Sequence, residues 1–301
     1  MSGVPKGHHW GVDSSFMRID QHVAAGKPTL FEFVMKQAGA VPSFWGRYIG
    51  FKGTQLQASE ITFLRRNSPG TRLLLLYNAL GIGFFEDTPR NPAAERRRGF
   101  AHAVKARAIA SDLGAPAGVA IYANAEPPLR KDGTPLIAPS GRVSSDWILG
   151  WWEGFGPGLG SLSGGIYGNT NGGGQLAIGR AYEVALRKAV GLLSKVLRPP
   201  LYAQNTKRVA SPKPADINFG YEAQDPPESP GASKVWQYAV AFGPDGKPLH
   251  IRDRLGMFDT DLATQGGFDG MWKLTPLGVL AKGPAPQEPR ERPPLEEERL
   301  A

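Results

Sequence analysis

Three carboxylates in this chain stand where an apolar run gives way to polar residues. Asp13 lies in Gly11-Val12-Asp13-Ser14-Ser15, Glu126 closes Val119-Ala120-Ile121-Tyr122-Ala123-Asn124-Ala125-Glu126, and Asp259 lies in Met257-Phe258-Asp259-Thr260-Asp261. Aromatic residues hold comparable places elsewhere: Tyr48, Tyr77, Tyr122, Tyr167, Tyr202, Trp236 and Tyr238. Carboxylates set among rings are what glycosidic-bond chemistry uses. One acid protonates the leaving oxygen, a second group stabilises the cationic transition state or positions water, and rings stack on pyranose faces. Neighbouring rings also desolvate a carboxylic acid and disfavour its charged form, which suits a general acid. Pro127-Pro128 follows Glu126 and would fix it rigidly at the mouth of a pocket.

For these residues to meet, the elements carrying them must converge. Eight short apolar stretches end in polar residues. Besides the three above they are Phe44-Trp45-Gly46-Arg47-Tyr48, Leu73-Leu74-Leu75-Leu76-Tyr77-Asn78, Gly165-Ile166-Tyr167-Gly168-Asn169, Leu201-Tyr202-Ala203-Gln204-Asn205 and Val235-Trp236-Gln237-Tyr238. Helix-like segments separate most of them, and strands alternating with helices imply a parallel sheet. Eight units are the count of a closed α/β (β/α)8 TIM-type barrel, in which chemistry sits at the C-terminal strand ends. The run Leu73–Leu76 lacks alternation, as expected of a strand covered on both faces.

The expected helices are Pro28–Gly39, Leu56–Asn67, Ala93–Leu113 with Gly114 closing it, Ser144–Phe155 capped by Ser144 or Ser145, and Gln175–Leu197 stopped by Pro199-Pro200. Val209–Ser233, rich in Pro, Asp and Glu, replaces the helix expected between the sixth and seventh strands, which makes the barrel irregular there. It reads as an extended loop. The organisation expected is an N-terminal arm over 1–9, the barrel over 10–282, and a flexible Pro- and charge-rich tail over 283–301 that could serve as an arm for a protein partner.

Composition narrows the chemistry. The chain of 301 residues suits one barrel of roughly 250 residues with extensions. With no cysteine there is no disulfide framework, thiol nucleophile or thiolate metal site. No phosphate-binding loop, zinc-protease helix motif or nucleophile elbow is present, and His8-His9, His22, His102 and His250 make no ligand spacing. Neither a cofactor nor a metal is expected. The glycine-dense run Gly154–Gly160 lacks dinucleotide spacing and reads as a loop. Met1–Trp10 has no apolar stretch behind a basic run, so no secretory leader is expected, and no run approaches the ~20 apolar residues of a membrane span. The formal net charge of +8 draws the protein toward polyanions such as an anionic cell wall. The basic residues are dispersed, with Arg96-Arg97-Arg98 the one tight run, and no nucleic-acid module is recognisable.

Several of these motifs, in order, resemble the glycoside-hydrolase-like barrel domain of unknown function found in actinobacterial and phage proteins, a relative of the glycoside hydrolase family 25 lysozymes. They are GVDSS, GRYIG, LLLLYN, DLGAPAGVAIYANAE, GGIYGN, KVWQYA and FDTDLA, over about residues 10 to 265. The resemblance implies a barrel acting on peptidoglycan, with Glu126 as general acid, Asp13 in the place of the opening aspartate, Asp259 in that of the late aspartate, and Asp261 where the lysozymes carry asparagine. It also exposes a departure: Asn124 stands where those enzymes have an acid that assists the substrate's acetamido group. Asparagine can orient an acetamide by hydrogen bonding but cannot carry negative charge.

The expectation is therefore a glycan-directed hydrolase. Glu126, Asp13 and Asp259 would be catalytic, Asn124 would hold the substrate amide, and Tyr48, Tyr77, Tyr122, Tyr167, Trp236 and Tyr238 would line the sugar site, with Trp236 and Tyr238 as its stacking wall. Two readings stay open beside it: a non-catalytic carbohydrate-binding or structural barrel in a phage particle or secretion apparatus, and an enzyme acting on a bond in another polymer.

Overall fold

The computed structural model describes residues 3–15, 17–50, 55–78, 91–125, 144–156, 164–169, 178–189, 199–204, 213–216, 233–239 and 258–277, without the side chains of Asn169, Leu201, Gln204, Tyr238 and Ala239. Eight strands close on one another: β1 His8–Ser14, β2 Phe44–Ile49, β3 Arg72–Tyr77, β4 Ile121–Asn124, β5 Gly164–Asn169, β6 Leu201–Gln204, β7 Ser233–Ala239 and β8 Asp259–Thr264. β1 pairs with both β2 and β8, and β2 with β3, so no edge is left open in the ring. A short ninth strand, β9 Trp272–Lys273, adds antiparallel to β3. The expected irregular TIM-type barrel is thus the observed architecture. β1 already begins at His8, with His8 and His9 paired to Thr264 and Ala263.

One feature departs from the parallel expectation. β1 through β7 run parallel, but β8 runs antiparallel to both β7 and β1. Antiparallel neighbours need no crossover helix between them. Asp259 therefore starts its strand instead of ending it, and because the strand is reversed its start lies at the rim where β1 to β7 end.

The helices lie outside. α1 Leu30–Ala38 begins two residues later than its proline suggests. Thr29 is the cap, accepting from the Glu32 N–H while Glu32 reaches back to the Thr29 N–H at 2.8 Å. α2 Ala58–Asn67, α3 Pro92–Asp112 and α4 Ser145–Gly154 fall where expected, α4 with Ser144 as its cap. α5 is described over Ile178–Lys188, and α6 is a short helix over Gln265–Asp269. Of the stretch between β6 and β7, only a single 3-10 turn at Pro214–Asp216 falls within the described residues.

Strand alternation divides the buried side chains into two layers. Trp45, Ile49, Leu73, Leu75, Ile121 and Ile166 face the helices, against Trp147, Trp151 and the apolar face of α1. Phe44, Tyr48, Leu74, Leu76, Tyr122, Tyr167, Tyr202, Val235 and Ala263 fill the interior. Space inside is tight at Asp13: a Cβ on Gly46 of β2 would stand 2.4 Å from the Asp13 Cβ. Only glycine lets the two strands carry an acid at that level.

Gly46→Ala should destabilise the protein by about 1–3 kcal/mol through overpacking. Gly266→Ala in α6, with no atom within 4 Å of the added carbon, should be neutral or mildly stabilising. Equal urea midpoints for the two variants would refute the packing assignment.

Candidate active site

The site grows from the register of two strands. Asp13 on β1 is paired with Asp259 on β8, and Gly11 with Asp261. Asp259 and Asp261 are two apart on one strand, so both project to the same face. That face is the interior, and the three acids meet there near the rim. Asp13 and Asp261 are fully buried, whereas Asp259 is partly exposed.

Polar neighbours come from the strands opposite. The Tyr202 hydroxyl of β6 lies 2.8 Å from Asp13 Oδ2 and 2.6 Å from Asp261 Oδ1. Gln237 of β7 donates through Nε2 to Asp259 Oδ2 at 2.7 Å and, at a longer 3.4 Å, faces Asp13 Oδ2. Its Oε1 accepts from the Tyr167 hydroxyl of β5 at 2.9 Å, which fixes the amide with its donors toward the acids. Tyr167 packs on Tyr202 with ring centroids 4.4 Å apart, and Tyr122 meets Tyr202 edge-on at 5.9 Å.

Behind Asp13 sits a buried ion pair. Arg47 of β2 grips Glu60 of α2 with both prongs, Nε to Oε2 at 2.8 Å and Nη2 to Oε1 at 3.1 Å, and neither side chain is exposed. The same guanidinium donates through Nη1 to the Ser14 carbonyl, next to Asp13 in the chain. Glu60 also accepts from the backbone N–H groups of Ile19 and Gln57. Each charge is thus both paired and hydrogen-bonded, the condition under which a buried ion pair is tolerated.

Burial dominates the electrostatics. It raises the Asp13 carboxyl to about 6, against the pull of the Tyr202 hydroxyl, the Arg47 cation, Tyr48 and Asp261. Asp261 is pushed well above the usual range by burial first, then by the like charge of Asp13, with Tyr202 opposing and Asp259 adding to the rise. Burial and the two acids push Tyr202 upward, so it stays a phenol. Both buried carboxyls are thus harder to ionise than free aspartates, Asp13 at about 6 and Asp261 well above the usual range.

Among the expected site residues, the structure brings together Asp13, Asp259, Tyr48, Tyr122 and Tyr167. Asn124, buried at the end of β4, is paired in register with Tyr167. Two residues are not brought there. Tyr77 faces the helices and stacks on Trp151 at 5.7 Å, because it shares parity with Leu73 and Leu75. Trp236 also belongs to the outer layer, near His8, since its neighbours Val235 and Gln237 take the inward positions. Neither lines the interior. Glu126 and the side chain of Tyr238 lie outside the described residues. Sequence reasoning leaves out Gln237, Arg47 and Glu60 and gives Asp261 no task. Strand parity counted from Asp13 and Val235 was the signal that could have found Gln237.

No protein-family model matches the chain, and no curated protein sequence does. Solved structures with a similar fold exist. An uncharacterized protein of B. stearothermophilus superposes with a TM-score of 0.58 at 24% identity, over 88% of this chain and 100% of that one. The modular autolysin LytC of Streptococcus pneumoniae, solved with a synthetic peptidoglycan ligand, gives 0.47 at 12% identity over 86% of this chain and 47% of its own. A Tat-secreted protein of Mycobacterium tuberculosis, in complex with L-tartrate, gives 0.44 at 13% identity over 88% and 98%. The first of these supports the barrel as a shared fold.

Removing Arg47 tests the buried pair. Arg47→Met should cost about 3–5 kcal/mol in urea unfolding, because Glu60 is left charged and unpaired. Arg47→Lys should cost less but still measurably, since an ammonium cannot form the two-pronged contact. If Arg47→Met retains the fold, a titration midpoint of Asp13 that moves down would contradict the electrostatic role of Arg47.

Proposed function

We propose that this barrel acts on a glycan and hydrolyses a glycosidic bond of cell-wall peptidoglycan or a related polysaccharide by carboxylate acid/base chemistry. The observation that carries the reading is the placement of Asp13 and Asp259, facing one another at one rim of a tyrosine-lined interior. Asp259, the partly exposed acid, is held by Gln237 and is suited to position water or stabilise positive charge. Asp13, titrating near 6 and ionised at neutral pH, supplies negative charge deeper in the site against an oxocarbenium-like transition state.

In this reading Glu126, which follows Ala125 directly after β4, is the general acid that protonates the leaving oxygen. Asn124 hydrogen-bonds the substrate's acetamido group, and Tyr48, Tyr122 and Tyr167 form the interior wall beneath the sugar. Tyr238 is kept as a candidate contact. The net charge of +8 supports attraction to an anionic wall polymer. The tail over 283–301 is proposed as an arm for a protein partner.

A binding module without turnover is the second reading. Asn124, in a place where an acid would assist the reaction, favours it, and so does the complete burial of Asp13 and Asp261.

Reducing-end release from purified peptidoglycan separates the two. Glu126→Gln should lower turnover by about 10²–10⁴-fold, the usual contribution of a positioned acid, and Asp259→Asn should also slow it. Unchanged digestion by Glu126→Gln sinks the assignment of the acid. Calorimetric binding of wall fragments by a wild-type protein that releases no reducing ends establishes the second reading instead.

A further inference from the structure

Counting hydrogens around Tyr202 leads to a conclusion about Asp261. The Tyr202 oxygen is within hydrogen-bonding distance of both acids, at 2.8 Å from Asp13 and 2.6 Å from Asp261. A phenol has one hydrogen, so it donates along only one of these contacts. The phenol oxygen can also accept, so a proton on Asp261 Oδ1 would complete a chain in which Asp261 donates to Tyr202 and Tyr202 donates to Asp13 Oδ2. Each acid has one buried oxygen, Asp13 Oδ1 and Asp261 Oδ2, that receives no hydrogen from a donor among the described residues. Two carboxylates buried this closely, each with an oxygen left without a donor, are costly to keep both ionised, and one added proton removes one of the two charges.

We infer that Asp13 and Asp261 share a single added proton carried by Asp261, and that Asp261 is the positioning residue that concentrates the site's negative charge on Asp13. The surroundings decide which acid keeps the proton. Asp13 has the Arg47 guanidinium on the neighbouring Ser14 carbonyl, and it accepts from Tyr202. Asp261 faces no cation among the described residues that act on it. Its neighbours are Asp13, Asp259 and Tyr202. Tyr202 in turn is flanked by Tyr167 and Tyr48, neither of which brings positive charge. Ionising Asp261 would put a second buried negative charge beside Asp13, whereas ionising Asp13 sets a negative charge near Arg47. Neutral Asp261 then acts as a donor, as an asparagine would in its place. The charge on Asp13 is present above its midpoint near 6 and disappears as pH falls through it. The use of that charge against a cationic transition state rests on the glycan reading, but the shared proton does not.

Carbon-13 NMR of the full-length chain with carboxyl-labelled aspartate follows each acid through pH. One aspartate resonance should keep its protonated position at neutral pH, and a second should change over near pH 6. Asp261→Asn should remove the first and leave the second, because asparagine supplies a donor without a titrating proton. Tyr202→Phe should retain the protonated resonance, since Asp261 stays buried beside Asp13 when the phenol is lost. Ionisation of every aspartate by about pH 5, as in unperturbed peptides, overturns the inference. So does a protonated resonance that persists in Asp261→Asn. The wild-type titration is decisive by itself if that variant does not fold. A protein that holds the proton but leaves peptidoglycan intact counts against the proposed function alone, and one that digests peptidoglycan with every aspartate ionised counts against the shared proton alone.

Discussion

The site depends on the reversal of a single strand. In a barrel whose strands all run the same way, residues that begin a strand lie at the end opposite the chemistry. Because β8 runs against its neighbours, Asp259 at its start faces Asp13 near the end of β1, and Asp261 one pleat further in reaches the same interior. Side chains alternate with period two, so a slip of one residue in this pairing would turn both β8 acids into the helix-facing layer. Around these strands that layer is built of Trp10, Val12, Leu262 and other apolar side chains, where a carboxylate would be desolvated. The register is therefore fixed both by what the interior accepts and by what the outer layer rejects.

Three carboxyls cannot all be ionised at close quarters inside protein, and the surrounding residues show how the charge is distributed. Arg47 provides a positive charge behind β1, but it is already engaged by Glu60, so its field on Asp13 is that of a neutralised pair with the guanidinium nearer the site. Tyr202 and Gln237 supply hydrogens without charge. Gln237 has its own carbonyl occupied by Tyr167 and cannot flip to present an oxygen to the acids without breaking that bond. The arrangement favours negative charge on Asp13 while penalising it on Asp261. A cation forming above the acids would meet fixed charge and already oriented dipoles, which need no reorganisation when it appears.

Much of the barrel was legible in the sequence: eight apolar runs in order, the helices between most of them, and Asp13 and Asp259 at chain positions that converge. What was not legible was which way side chains face and which way the last strand runs. Leu73–Tyr77 is apolar throughout because both faces of β3 are covered, so its composition holds no trace of parity, and Tyr77 reads as easily inward as outward. In Val235-Trp236-Gln237 the usual inference inverts. The polar glutamine turns inward because the upper interior is polar, and the tryptophan turns outward because the outer layer is the larger apolar surface. The direction of β8 is a long-range pairing choice, and nothing in Asp259–Thr264 alone encodes it.

The other end of the barrel is closed, which leaves the polar side chains of the interior gathered at one rim. The chain leaving β8 folds at once into α6 and β9 and closes the floor. Phe268 packs against the lower interior and stacks on His9 at 3.7 Å, with the Arg72 guanidinium 4.1 Å from its ring centroid. Arg72 also donates to the Phe268 carbonyl at 2.6 Å, and the Ala120 N–H donates to the Gly270 carbonyl at 2.8 Å. Phe44, Leu74, Val235 and Met271 fill the space above this floor without a polar atom in their side chains that could hold a sugar or a charge. The interior is thus graded from apolar at the closed end to carboxyl, amide and phenol at the open one. The same reversal that brings the β8 acids to the open rim sends the end of that strand to the floor, where the segment that seals it begins. Placing the acids and plugging the barrel are consequences of one topological choice.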